Sequence, residues 1–267
     1  MGQWLTHHLT QNFDWSKVMF NYGLIGILYA IIFFICVRDS ALGISYKIVP
    51  LPKHFNLSKA VKKALKKGEN YALAFATALA FSQWFSFYGV WHIRFFEASY
   101  IHAPHNTVWM NLYPMIGFAI GIIGFLYLGY YTKKRKIYMM TGTAIAFILS
   151  ICSIYIPDLP FGLRVTLDFF AAVSVGSMAL AYAMIHENNI PAVTGTMIAM
   201  IVTSLAIFRL LGEIIILAIL GSFGEKTGTF SVADYQSALI VIPFSLLFAL
   251  IALVFVRENH GKQVYEE

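Results

Sequence analysis

The chain has 267 residues, 59% of them hydrophobic and only 12% charged. A soluble domain carries roughly 45–50% apolar and about 25% charged residues, so too few polar side chains remain here to cover a water-facing surface, and a soluble globular protein is excluded. The formal charge of +6 would suit nucleic acid, but the basic residues fall in short runs between apolar stretches, a pattern that membrane topology produces and that implies no nucleic-acid partner.

A helix needs about 20 mostly apolar residues to cross the hydrocarbon core. Seven segments qualify, at 18–37, 71–92, 107–131, 138–156, 162–185, 192–221 and 236–256, and they predict an all-α polytopic membrane protein in the lipid bilayer. Alternating strands of a barrel are absent. The first segment follows a polar rather than basic leader, Met1 to Lys17, and is too long for a signal-peptide core, so it reads as a true span. Met1-Gly2-Gln3-Trp4-Leu5-Thr6 fits a myristoylation pattern that an exported N-terminus would leave unused.

After the first span comes a basic stretch, 38–70. From Leu57 to Asn70, LSKAVKKALKKGEN places Leu57, Val61, Ala64 and Leu65 on one helical face and Lys59, Lys62, Lys63, Lys66 and Lys67 around the rest. Such a helix is expected to lie on the membrane surface with its lysines near anionic headgroups. Asn56-Leu57-Ser58 is a glycosylation sequon on the side where it stays silent, and His102-Ala103-Pro104-His105 reads as a solvated loop, since Pro104 breaks helical register and no third metal ligand is near.

In the later spans, Gly117, Gly121 and Gly124 form a small-residue stripe that should admit a neighbouring helix, as should Ala171, Ser174, Ser177 and Ala181. Pro114 and Pro243 should bend their spans, each removing a backbone hydrogen bond. On a helical wheel Gln83, Ser86, Phe87, Val90 and Arg94 share one face and Tyr88 and His92 the other, so the two sets should not face one cavity. Trp91 suits an interfacial anchor or a stacking platform. Arg164 and Asp168, four apart, suit a helix-end salt bridge, while His186 and Glu187 should be solvated in a turn. Arg209 and Glu213 lie deep in the sixth span, where a charge costs about 2.5–3.5 kcal/mol. Also four apart, they can pair, either to glue a neighbouring helix or to work, Glu213 as a proton-coupling carboxylate or Arg209 as an anion contact.

Lysine and arginine set the orientation. Arg38, Lys47, Lys53, Lys59, Lys62, Lys63, Lys66, Lys67, Lys133, Lys134, Arg135, Lys136, Arg257 and Lys262 fall on one side, against Lys17, Arg94, Arg164 and Lys226 on the other. Fourteen against four predicts an outside N-terminus and a cytoplasmic C-terminus.

The segment FNYGLIGILYAIIFFICVRDS (Phe20 to Ser40) resembles the sixth helix and charged exit of major facilitator superfamily transporters, with 38–70 like the linker between that family's two halves. FSFYGVWHIRFFEASY (Phe85 to Tyr100) is similar to the seventh helix and PAVTGTMIAMIVTSLAIFRLLG (Pro191 to Gly212) to the eleventh. The loop between the family's eighth and ninth helices carries a Gly-x-x-x-Asp-Arg/Lys-x-Gly-Arg/Lys signature; here Gly129, Lys133, Lys134 and Arg135 match its glycine and basic cluster, while the acid and second glycine are missing.

The resemblance implies seven transmembrane helices forming the C-terminal six-helix bundle of a major facilitator fold plus one preceding helix. It divides the chain into 1–37, an outside segment and the family's helix six; 38–70, the linker; 71–256, the bundle; and 257–267, a cytoplasmic tail. By this resemblance the seventh and tenth helices line a central cavity, which makes Gln83, Trp91, His92, Arg94, Arg164 and Asp168 candidate lining residues, and Asn111 of the third span is a further candidate. The implied function is secondary transport of a small solute by alternating access, coupled to protons, in a membrane such as the bacterial inner membrane, with a missing N-terminal half or a second copy as partner. An inactive or accessory half-transporter is the alternative. A seven-helix receptor fits less well, because the last span lacks a retinal-binding lysine and an Asn-Pro-x-x-Tyr turn. No nucleotide loop, zinc motif or nucleophile elbow is present, so neither a cofactor nor an enzyme activity is expected.

Overall fold

A computed structural model describes residues 14–36, 56–100, 107–223 and 230–261. The chain divides into two compact units, Met1–Asn56 and Leu57–Glu267. Among the described residues all regular structure is helical. Among these residues seven helical spans are long and apolar enough to cross a membrane, and the protein is an integral multi-pass membrane protein. The myristoylation pattern, the stretch from 38 to 55, the His102–His105 loop and Lys262 lie outside the described residues.

In the first unit, α1 (Trp15–Cys36) has 22 residues, about 33 Å at about 1.5 Å per residue, enough to cross a bilayer by itself. Its residues are hydrophobic all round, as a membrane span requires.

The second unit begins with α2 (Leu57–Leu65). Its lysines Lys59, Lys62 and Lys63, and Lys66 just past its end, are exposed. Part of its apolar side is covered by the protein itself: Ala64 is buried and Ala60 and Val61 pack against the protein core, with α3 and α9 as neighbours, while Leu65 stays exposed. The next span is α3 (Gly68–Ser86), a π-helical turn (Phe87–Trp91) and α4 (His92–Ser99), 32 residues in all. Hydropathy ends this span at residue 92 because Arg94 and Glu97 follow. The helix continues because Phe95 and Phe96 beside them are fully buried.

Then come α5 (Thr107–Thr132), α6 (Arg135–Tyr155), and α7 (Phe161–Val175), which passes through a 3-10 turn (Gly176–Ala179) into α8 (Leu180–Asn188). The chain finishes with α9 (Pro191–Ser222), α10 (Val232–Ala238) and α11 (Val241–Val254). Local chemistry sets these ends. Lys133 and Asp158 take positive φ values of 55° and 51° and separate α5 from α6 and α6 from α7. Pro191 occupies the first position of α9, where its missing N–H is harmless. Ser231 and Asp234 cap α10 reciprocally. Pro114 sits inside α5, whereas Pro243 falls in the first turn of α11, just after the break at residues 239–240, so the expected bend is a helix interruption.

The packing has an internal exchange symmetry. The span α3–α4 packs on α9 and α11, the span α7–α8 packs on α5 and α6, and α6 meets α11. Grouped as α3–α4, α5, α6 and α7–α8, α9, α11, each triplet's first helix lies against the second and third helices of the other, and the third helices meet. Three crossings per triplet reverse direction between them, which is the geometry of an inverted repeat. Burial follows the same grouping: 78% and 67% of the core windows of the first helices are buried, against 22% and 17% for the second helices. The first helices are therefore central, while α5 and α9 each present a wide apolar face outward. Both central helices also change from α to another helical form midway, at 87–91 and 176–179.

Small residues make the tight crossings possible. A side chain on Gly121 would collide with the Val173 carbonyl, and a Cβ on Gly176 would lie 2.7 Å from the backbone of Gly121. On Gly117 it would lie 2.6 Å from the Phe169 carbonyl. Gly124 departs from the expected stripe, with nothing within 4 Å of where its Cβ would be. The second stripe works through Ser174 and Ser177, which receive Gly142 of α6. Gly121→Val should therefore force α5 off α7 and cost about 1–3 kcal/mol or more by overpacking, while Gly124→Ala should change stability by less than about 0.5 kcal/mol. Thermal unfolding of the two variants in one detergent checks this, and equal melting temperatures would contradict it.

Candidate functional site

The candidate residues separate into three groups, each fixed by a different pair of helices. The first lies along the seam of α3 and α9. Gly212 offers no side chain there, and the Gln83 amide fills the gap: a Cβ on Gly212 would sit 2.6 Å from its Oε1. The Gln83 Nε2 donates to the Phe208 carbonyl at 3.1 Å. One turn on, the Ser86 hydroxyl donates to Glu213 Oε1 at 3.0 Å, and Arg209 Nε lies 3.8 Å from the same oxygen. The Arg209 guanidinium lies beside Gly89 of the π turn, where a Cβ would still have 3.6 Å of room. This seam opens to the exterior of the bundle: the Arg209 side chain is 45% exposed and that of Glu213 21%. Arg209 is twelve residues before Gly221, near the end of α9, or about 18 Å at about 1.5 Å per residue, so an ion pair sits at mid-span depth on an otherwise apolar face.

The second group is buried and draws on four spans. His92 (α4) lies with Nδ1 2.6 Å from Asn111 Oδ1 (α5) and Nε2 3.0 Å from Asp168 Oδ2 (α7). The Ser153 hydroxyl (α6) donates to Asp168 Oδ1 at 2.7 Å, and Asn111 Nδ2 donates to the Tyr88 carbonyl at 3.0 Å. His92, Asn111, Asp168, Ser153 and Tyr88 are all buried. Asp168 and Arg164 do not form the salt bridge that their spacing suggests. Asp168 is drawn to His92, and Arg164 lies over the rings of Phe95, Phe96 and Tyr100, with its carbon 5.0, 5.8 and 5.2 Å from their centroids. Cation–π attraction replaces a carboxylate there. Trp91 is buried, not interfacial, and Arg94 stacks over it at 5.6 Å.

The wheel separates Gln83 from Tyr88, yet one small cavity of about 30 Å³ is lined by both, together with Trp84, Ser150, Ser153 and Asp168. A wheel drawn at 100° per residue assumes an unbroken α-helix, and the π turn that begins at Phe87 breaks that assumption.

The third group joins the α5–α6 loop to the ends of α8 and α11. Gly129 admits the Leu180 side chain, which a Cβ would overlap. Lys133 reverses the chain with its positive φ. Arg135 Nη2 then lies 2.7 Å from Glu187 Oε1, while the Lys136 amide donates to Glu258 at 2.6 Å and its ammonium to the Val254 carbonyl at 2.9 Å. Lys134 remains exposed. Glu187 is therefore a buried helical residue, not a solvated one; His186 beside it is exposed. Nothing near Glu187 in sequence announces this, because its partner lies 52 residues earlier.

No family model matches this sequence, and no curated protein is similar to it.

The seam pair generates a direct test. Arg209→Met or Glu213→Leu alone leaves one ion unpaired at mid-span, at about 2.5–3.5 kcal/mol on insertion scales, and should lower the melting temperature in lipid nanodiscs. The double variant removes both charges and should recover most of that loss. A double variant less stable than either single one would show that each charge holds a separate partner.

Proposed function

We propose that the protein is a secondary active transporter of the major facilitator kind, which moves a small solute by alternating access coupled to protons. The observation that carries this reading is the exchange symmetry of the bundle. Inverted three-helix repeats with a site at mid-depth are a building plan of such carriers, and rocking one bundle against another exposes the site to each side in turn. The outward faces of α5 and α9 support it further. They are the least buried of the bundle's spans, and α9 carries Arg209 and Glu213 on that side. Ionisable groups at this depth belong against protein or a water-filled cavity rather than lipid, so this face meets a second bundle, from further polypeptide or another copy. Glu213, hydrogen-bonded to Ser86 and paired with Arg209, is the proposed coupling carboxylate.

The orientation has the N-terminus outside and the C-terminus in the cytoplasm. It rests on the count of basic residues, and the bundle gathers the basic segments at one end. Lys136 reaches the C-terminal segment through Glu258 and Val254, and Lys67 donates to the Asn188 carbonyl at 3.1 Å. Single cysteines placed at Lys63 and Lys134 should resist an impermeant thiol reagent applied outside, and one at Ser231 should react. Outside labelling at Lys134 would reverse the assignment.

For transport, vesicles carrying the protein and a trapped pH dye are exposed to a panel of organic acids, sugars, peptides and cationic drugs, with the protein alone and with a second six-helix bundle supplied. The protein alone should insert without flux. With both bundles, one solute class should evoke proton movement, and Glu213→Gln should abolish uphill uptake while sparing exchange. Flux from the monomeric protein alone would overturn the two-bundle reading, and coupling unchanged in Glu213→Gln would overturn the assigned role of that residue.

A further inference from the structure

The buried His92–Asp168 contact has a proton count that its neighbours dictate. Asn111 donates its Nδ2 to the Tyr88 carbonyl, which turns its Oδ1 toward His92 Nδ1 at 2.6 Å. Two acceptors do not attract, so Nδ1 carries a hydrogen. Neutral imidazole would then present a bare Nε2 to Asp168 Oδ2 at 3.0 Å, again two acceptors unless one proton lies between them. Whether that proton is written on Nε2 or on Oδ2, the pair is neutral overall, which suits groups each only 2% exposed.

Two further observations give this proton a route and a replacement. The cavity beside Asp168, about 30 Å³, has room for one or two waters by the criterion of about 10–15 Å³ each. Gln83 and Trp84, 2% and 6% exposed, line it, and their Oε1 and Nε1 are buried with no hydrogen-bond partner among the described residues. Arg164, one turn from Asp168 and 4% exposed, keeps Nε and Nη1 without a hydrogen-bond partner among the described residues.

We propose that His92 and Asp168 form an internal proton-binding site, that water in the adjoining cavity carries the proton toward Gln83 and the Ser86–Glu213 seam, and that Arg164 takes over Asp168 when the proton leaves. In that step the proton between Nε2 and Oδ2 passes to a water lone pair, giving hydronium. Nδ1 keeps its hydrogen, and the pair is left with one negative charge, which the guanidinium neutralises by moving off its aromatic rings. The groups that face the site are Tyr88 from the π turn, Asn111 from α5, Ser153 from α6 and Arg164 from α7. The π and 3-10 turns on the two central helices are the places where the outer halves carrying His92 and Asp168 can tilt, since non-α turns mark hinges in helices.

The use of this proton in coupling rests on the transport reading; its presence does not, so the test uses no substrate. The protein is labelled with ¹⁵N-histidine and studied by NMR in lipid nanodiscs at neutral pH, with His92 assigned by loss of its signal in His92→Gln and, independently, by the shift in Asn111→Leu. The expected spectrum has a hydrogen on Nδ1 and Nε2 in a strong hydrogen bond. The proton between Nε2 and Oδ2 should exchange with water, and Gln83→Met should slow that exchange severalfold without moving the signals. Arg164→Gln should leave the spectrum at neutral pH in place and slow proton release after a jump to alkaline pH. A bare Nδ1, or an Nε2 that neither carries nor accepts a proton in a hydrogen bond, overturns the site. Exchange unaffected by Gln83→Met overturns the water route, and release unaffected by Arg164→Gln overturns the exchange of counter-ions. A carrier that couples to protons and fails these tests binds them elsewhere; a protein that passes them and moves no solute retains the site and loses the transport reading.

Discussion

Two of the spans are too polar to face lipid, and the bundle is arranged around that constraint. α3 alone buries Asn70, Thr77, Ser82, Gln83 and Ser86, and α7 buries Arg164, Asp168 and Ser174. In hydrocarbon such groups have no water to turn to, so each of these helices must be enclosed on most sides by others. The partner exchange between triplets does this with few elements: α3 takes α9 and α11, α7 takes α5 and α6. Enclosing two central helices with four others leaves some of the four poorly covered, and α5 and α9 are the ones left out. The exposed faces that suggest a second bundle thus follow from the need to hide the first helices.

The same constraint sorts the charges. At the seam, Arg209 and Glu213 are partly exposed and meet loosely, with Ser86 as a third member. In the interior, His92 and Asp168 are held by Asn111 and Ser153 as well as by each other. At the end of the bundle Arg135 and Glu187 meet at 2.7 Å where α6 and α8 converge. The most buried of the three contacts, His92 with Asp168, is also the one held by two neutral hydrogen-bonding side chains, as expected when the cost of dehydration has to be offset locally.

Much of this was legible in the residues. The apolar runs placed every span, because length and hydropathy are properties of one segment. The glycines at 117 and 121 pointed to a close crossing, and the spacing of Arg209 and Glu213 to a pair. What stayed hidden depends on a second segment. Spacing offered Arg164 as Asp168's partner, and only the fold shows that His92, 76 residues earlier, reaches it first. Glu187 looked like a loop residue until Arg135 supplied a reason to be buried. The lysine-rich face of α2 is exposed as its pattern suggests, and only the fold shows that the protein itself covers Ala64. The end of the second span was misplaced because Arg94 and Glu97 outweighed Phe95 and Phe96 in hydropathy, and burial of the two rings decided the matter.

The π turn at Phe87–Trp91 can also be considered as a phase shift. A π turn takes about one more residue than an α turn, so every side chain beyond it is rotated by roughly a quarter turn relative to an uninterrupted α-helix at about 3.6 residues per turn. The N-terminal half of this span is therefore in phase with α9, where Gln83 and Ser86 find their partners, and the C-terminal half with α5 and α7, where His92 finds its own. Such a helix tolerates changes of side chain more readily than changes of length. Losing a single residue between 87 and 91 would keep the composition nearly intact and yet swing His92 away from Asp168, so the spacing across this turn is as much a part of the site as the residues that it connects.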